Sequence, residues 1–263
     1  MKQVASLRYG VIFKKAFSQP DIFKAFVKDF LGIELVIDKV ETEKSFDQPI
    51  GNVDTRFDLF AEDKQNRIIV DIQHVRYADH YDRFLHYHCA ALVEQVASSQ
   101  DYHPSKQVFT IVVLTSGDRH KVDLAVVDFD PKTFDGKPLK EIPHKIIYAC
   151  PKYVTENTPE PYREWLLAIA DSLDEEVDET QYHKTEIQHI FELIARDLVS
   201  PQERARMKDE YGLEQLQQEK SEKARLAEKQ EIARNLLAEN IDPVIVAKTT
   251  GLSLDDLAAI SQK

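Results

Sequence analysis

The chain has 263 residues, 43% hydrophobic and 30% charged, enough for one sizeable α/β domain with a smaller appendage. Its two cysteines, Cys89 and Cys150, stand in no paired spacing, which excludes a disulfide scaffold and a four-cysteine zinc site and fits a reducing compartment. The net charge of −12 argues against many phosphate contacts, although an acidic region can dominate the total while another part stays basic.

The opening "MKQVASLRYGVIFKKAF" lacks the unbroken apolar core of a signal peptide. No run of eighteen apolar residues occurs, so a cytoplasmic protein without a membrane span is expected. From about Tyr9 to Leu31, Phe13, Phe17, Phe23, Phe26, Val27 and Phe30 recur at helical spacing. Pro20 starts a second helix there, and Gly32 is its expected C-cap. "IELVIDKVETEKSF" reads as a strand, followed by a loop at "DQPIGN". "RFDLFAEDKQNRIIVDIQHVR" reads as two strands joined tightly at "EDKQN". A long helix is expected from about Ala78 to Val96. "QVFTIVVLTS" is a continuous apolar run typical of a strand covered on both faces, and "HKIIYAC" is a further strand. This order describes a mixed sheet flanked by helices. After Pro159 the pattern is helical, with acidic outer faces on "YREWLLAIADSL" and "EIQHIFELIARDL". Residues 202 to 234 read as a solvated helical arm. Two short helices close the sequence, punctuated by Asp242, Pro243, Gly251 and a Ser253–Asp256 capping box.

The two acids inside the hairpin carry the functional argument. A two-residue turn at Lys64 and Gln65 pairs Leu59 with Val70 and Phe57 with Ile72. Alternation then puts Phe57, Leu59 and Ala61 on one face, and Asp54, Arg56 and Asp58 on the other. The same register sets Asp58 opposite Asp71, about 5 Å apart at Cβ, with Gln73 aimed the same way. Two opposed carboxylates repel unless a positive charge lies between them. Arg56 is one source of that charge, and a hard divalent cation such as Mg²⁺ is another.

An Asp in one strand, a short turn, then acidic–x–Gln in the next resembles the PD-(D/E)XK nuclease superfamily, and within it the transposase or recombination-promoting nuclease (Rpn-like) group. "YGVIFKKAFS", "FDLFAEDKQNRIIVDIQ", "YDRFLHYHCAALVEQV" and "VFTIVVL" support the resemblance over residues 9 to 115, with a weaker echo in "IARNLLAENI…VAKTTGLSLDDLAAI". It implies an α/β fold of restriction-endonuclease-like type, a mixed sheet flanked by helices with a helical C-terminal region. Residues 1–155 would form the nuclease-like core, 156–230 a helical extension and charged arm, and 231–263 a small terminal helical pair. The resemblance further implies Asp58 and Asp71 as ligands of Mg²⁺ or Mn²⁺, and Gln73 at the position of the superfamily lysine. A neutral amide positions water by hydrogen bonds, whereas lysine also brings charge. Glu41 and Glu43 are candidates for a third carboxylate.

Arg83 and Tyr87, four apart on one helix, are either a phosphate contact or an intra-helix pair. His74, His80, His86, His88 and His103 match no zinc spacing, and His88 reads as a packed or surface residue. The terminal pair has a helix-turn-helix layout, but "SLDDLAAISQK" opens with two aspartates where phosphate contact would occur. It therefore reads as an interaction or dimerisation unit, the candidate surface for a homo-oligomer. The expected function is a metal-dependent DNA endonuclease, with DNA as partner. A catalytically idle relative serving as a protein-interaction module is the alternative.

Overall fold

The computed structural model describes residues 1–46, 55–75, 77, 79–96 and 102–261. They form two compact units, Met1–Met207 and Lys208–Lys263. In the first, β1 (Lys2–Gln3) precedes α1 (Gly10–Phe17) and α2 (Pro20–Leu31). Pro20 sits in the first turn of α2, and Gly32 ends it at φ +70°, the left-handed geometry that a residue with a Cβ adopts only at a cost. The phenylalanines of both helices turn inward and meet one another, with Phe17 and Phe26 edge to face at 5.1 Å.

Next come β2 (Glu41–Ser45), β3 (Arg56–Glu62) and β4 (Asn66–Gln73), then α3 (His80–Val93), β5 (Gln107–Leu114), β6 (Leu124–Asp128) and β7 (Lys145–Ala149). These strands make one six-stranded sheet in the order β2-β3-β4-β5-β7-β6. β5 runs parallel to β4 and β7, while the other neighbours are antiparallel. β4, β5 and β7 lie in the middle, and the apolar runs of β5 and β7 follow from burial on both faces. One face packs against α1, α2, α4 (Tyr162–Asp171) and, past β8 (Glu176–Val177), α5 (Thr185–Leu193). The other packs against α3 through Phe84, Tyr87, Ile69, Val112 and Tyr148. Each such side chain buried fully contributes about 1.5–3 kcal/mol. This is the mixed α/β sheet flanked by helices that the sequence implied.

α6 (Pro201–Ala238) is almost wholly exposed, as its charged composition requires. In the second unit its C-terminal part packs with α7 (Pro243–Thr250) and α8 (Leu254–Ser261) around Ala233, Val246, Leu252 and Leu257. Asp242 caps α7 by accepting from the Val244 amide at 2.7 Å, and Ser253 and Asp256 form the expected reciprocal cap. Among the described residues no helix is long and apolar enough to cross a membrane.

The structure corrects several expectations. The strand foreseen over residues 33–46 is confined to Glu41–Ser45, because only that part finds a ladder partner; Leu35 and Ile37 are buried without being a strand. The helix foreseen from Ala78 to Val96 spans His80–Val93, with Ala78 outside the described residues. The "DQPIGN" loop and Asp54 also lie outside them. Edge strand β6 was not foreseen, since half-exposed "LAVVD" shows no clean alternation. Phe57 does not share the Leu59 and Ala61 face: it packs with Phe60 and Ile69 on the α3 side. The strand pair is irregular at that point, where Glu43 of β2 takes φ +58° between the Thr42–Leu59 and Lys44–Phe57 pairs.

Candidate active site

The hairpin holds the expected Leu59–Val70 pair, while the expected Phe57–Ile72 pair is not part of the ladder, since Phe57 turns to the α3 side. Leu59 pairs with Val70, Phe60 with Ile69, Ala61 with Ile68 and Glu62 with Arg67, around a turn at Lys64 and Gln65. Asp63 closes that turn by accepting from the Gln65 and Asn66 amides at 2.8 and 2.7 Å. Carried one step further, the register brings Asp58 against Asp71. The backbone ladder stops at Leu59 and Val70, and here the carboxylates become the acceptors. The Asp58 amide donates to Asp71 Oδ1 at 2.8 Å, and the Ile72 amide donates to Asp58 Oδ2 at 3.1 Å. Each acid is thus fastened by a backbone N–H of the opposite strand, which fixes both rotamers.

The two acids differ in surroundings. Asp58 is partly exposed, and its Oδ1 lies 3.4 Å from Lys14 Nζ. Asp71 is 3% exposed, and its Oδ2 has no hydrogen-bond partner among the described residues. Burial pushes the Asp71 carboxyl well above the usual carboxylate range, and the Asp58 charge pushes it further. The Asp58 amide, Arg83 and Lys14 oppose that rise. Gln73, two residues on, is also buried, and its Oε1 likewise has no partner among the described residues. Two fixed carboxylates, one with a bare buried oxygen, and the bare amide oxygen of Gln73 two residues on are hard donors of the kind that suit Mg²⁺, which takes one or two carboxylates and keeps waters.

Among the described residues no group of three or more His, Cys, Asp and Glu side chains gathers to hold a metal. Of the two candidate third acids, Glu43 comes nearer the pair: it bonds Lys14 and Arg56, and Lys14 also reaches Asp58. Glu41 instead accepts from Lys44 at 3.4 Å. Arg56 therefore neutralises Glu43 and not the opposed aspartates. Arg83 makes the foreseen helix contact, reaching the Tyr87 hydroxyl at 3.4 Å, and its charge is also felt at Asp71. His88 is packed in the core beside Thr110 and Phe129.

Lys14 is the residue that sequence reasoning missed. It lies on α1, whose apolar residues dock onto the sheet and carry the lysine to the open end of the hairpin. The signal in the sequence was a Lys14–Lys15 pair inside an otherwise apolar helix. That is weak, because lysines routinely lay their stems along apolar surfaces.

Residues 9–224 match the family model described as PD-(D/E)XK nuclease family transposase. Residues 226–262 match the C-terminal HTH domain of the Rpn/YhgA-like nuclease family. No curated protein and no solved structure matches the chain. The second match corrects the reading of the terminal helices as an interaction unit instead of a helix-turn-helix. The aspartates that argued against it bear on what the surface attracts, and fold is set by the small core beneath.

Proposed function

The chain belongs to the PD-(D/E)XK nuclease family transposases, and from that membership we propose that it is a metal-dependent DNA endonuclease acting in transposition or recombination. Asp58 and Asp71 are the proposed ligands of Mg²⁺ or Mn²⁺, and Gln73 the proposed positioner of the attacking water. The observation that carries the reading is Asp71 Oδ2, buried and without a partner among the described residues, with Gln73 two residues on carrying an equally bare Oε1. Burying such groups costs free energy unless something at the site compensates it.

A hard cation there would polarise a phosphoryl oxygen and acidify the attacking water. The chain's own groups do the rest. Asp58 and Asp71 hold their orientation through the two amide bonds, so little reorganisation accompanies the reaction. Gln73 accepts a hydrogen bond from the water and holds it in line. The water oxygen bonds to phosphorus, the bond from phosphorus to one ester oxygen breaks, and that oxygen leaves with a proton. One DNA end then carries a phosphate monoester and the other a hydroxyl. Arg83 is the proposed phosphate contact at the edge of the site. On this reading residues 1–155 carry the chemistry in the cytoplasm, 156–230 extend it, and 231–263 form the small terminal HTH-like unit.

Supercoiled plasmid incubated with and without Mg²⁺ tests the proposal. Cleavage is expected only with the cation, and Asp71→Ala should abolish it while the fold persists. Gln73→Ala should lower the rate less, because the amide carries no charge. A folded wild-type protein inert on every DNA form would favour the interaction-module reading. The charge distribution favours that second reading: residues 156–200 hold twelve acidic and three basic residues.

A further inference from the structure

The superfamily places a lysine where this chain has Gln73, so the proposed site lacks an ammonium on the strand. The fold supplies one from elsewhere. Lys14 Nζ bonds Glu43 and lies 3.4 Å from Asp58 Oδ1, and its side chain is 16% exposed. It sits on the Glu43 side of Asp58, and among the described residues no ion pair joins it to Asp71. It therefore stands beside Asp58, while Asp71 Oδ2 and Gln73 Oε1 have no hydrogen-bond partner among the described residues.

On its other side Lys14 borders a groove of about 440 Å³ between α1, β2 and the start of α6. Lys14, Lys15 and Arg206 line that groove together with Glu43 and Glu203. Lys15 is occupied: its ammonium donates to the Leu198 carbonyl at 2.7 Å and lies 3.3 Å from Glu203. Among the described residues, Lys14 is the cation lining the groove that also comes within ion-pair distance of a proposed metal ligand.

Resting on the nuclease reading above, we propose that Lys14 is a catalytic residue. Its ammonium contacts the scissile phosphate as that group enters from the groove, and supplies the positive charge that Gln73 cannot. In the attack described above, negative charge grows on the non-bridging phosphoryl oxygens, and a fixed ammonium at that edge stabilises it. No proton transfer by Lys14 is needed, because water provides both the nucleophile and the proton on the leaving oxygen.

The test compares wild type, Lys14→Met and the double variant Lys14→Met/Gln73→Lys on plasmid DNA at saturating Mg²⁺. Lys14→Met is expected to lower kcat roughly a hundredfold, with DNA affinity in Ca²⁺ within about threefold of wild type. Its rise in melting temperature on adding Mg²⁺ should persist, since the proposed ligands Asp58 and Asp71 are both retained and held by backbone amides. Moving the lysine to residue 73 should recover at least about tenfold of the lost rate, the signature of a charge needed at the phosphate and not of a packing role. If Lys14→Met does not fold, Lys14→Gln takes its place: a polar side chain is kept and the positive charge is removed. Its kcat is expected to fall at least about tenfold, and a wild-type kcat would overturn the proposal. Active wild type with Lys14→Met within about threefold of it overturns the lysine assignment alone. Loss of the Mg²⁺-induced melting shift in Lys14→Met also overturns it, by making Lys14 a support for the carboxylates. An inert wild type overturns the nuclease reading as well.

Discussion

Asp71 sits in a site that opposes its own charge, and this has a measurable consequence at the residue scale. Burial and the Asp58 charge both raise its proton affinity. Asp71→Asn keeps an oxygen to accept the Asp58 amide while removing the charge. The metal-free variant should therefore melt higher than wild type, and millimolar Mg²⁺ should no longer raise its melting temperature. In wild type, cation at a hundredfold excess over its Kd should add about 2.7 kcal/mol; an equal shift in the variant would place the ion elsewhere. His88 makes a second case. It is fully buried beside Thr110, and burial brings its pKa down to about 3, with the nearby His144 adding to the fall. A free histidine takes a proton near pH 6.5, so below that the unfolded chain binds the proton and the folded chain does not. Stability from this group is complete above about pH 6.5 and is lost as pH falls towards 3, at up to about 1.4 kcal/mol per unit. Urea unfolding of wild type and His88→Gln between pH 4.5 and 7 should show a flatter pH dependence in the variant.

At the scale of elements, what positions the site is how β3, β4 and α1 end against one another. The β3–β4 ladder is regular through the Leu59–Val70 pair and then gives way to side-chain acceptors, so the acids sit where the strands part. α1 covers this opening because Ile12, Phe13, Ala16 and Phe17 must be buried, and Lys14 is carried along on its flank. The turn after the C-terminal end of β5, beside Gln73, shows a different constraint. Gly117 takes φ +76°, and a Cβ there would lie 2.6 Å from the Tyr153 ring. That ring is held by a hydrogen bond from its hydroxyl to the Asp118 carbonyl at 3.0 Å. Gly117→Ala should therefore destabilise the protein by about 1–3 kcal/mol, measured by chemical denaturation. An unchanged midpoint would mean that Tyr153 moves aside freely.

For the whole molecule, the net charge of −12 is unevenly spread. The stretch from 156 to 200, which includes α4 and α5, accounts for −9 of it. The total charge is thus a poor guide to the potential at the Asp58–Asp71 end, where Lys14, Arg56 and Arg83 stand. The HTH-matching residues 226–262 hold six acidic and three basic residues, and α8 opens on Asp255 and Asp256. Few counterions can be released by such a surface. Deleting 226–263 should leave plasmid cleavage within about threefold of wild type and the salt dependence of DNA binding nearly unchanged. A slope that falls by one or more per deleted segment would show that this unit does contact phosphates.

The sequence by itself determined the hairpin. Its turn chemistry and its apolar residues admit one register, and that register fixes the meeting of Asp58 and Asp71 however the rest of the chain is arranged. It likewise determined the caps at Gly32, Asp242 and Ser253, because capping is settled within a few residues. Tertiary structure alone decided which acid is buried, where Phe57 turns, and that Glu43 comes towards Asp58 while Glu41 pairs with Lys44. It also decided that a lysine 44 residues before Asp58 stands beside it. Local periodicity carries no information about such distant neighbours. They meet because helices and sheet must hide their apolar faces against each other, and polar groups on the flanks of those faces go where the packing takes them.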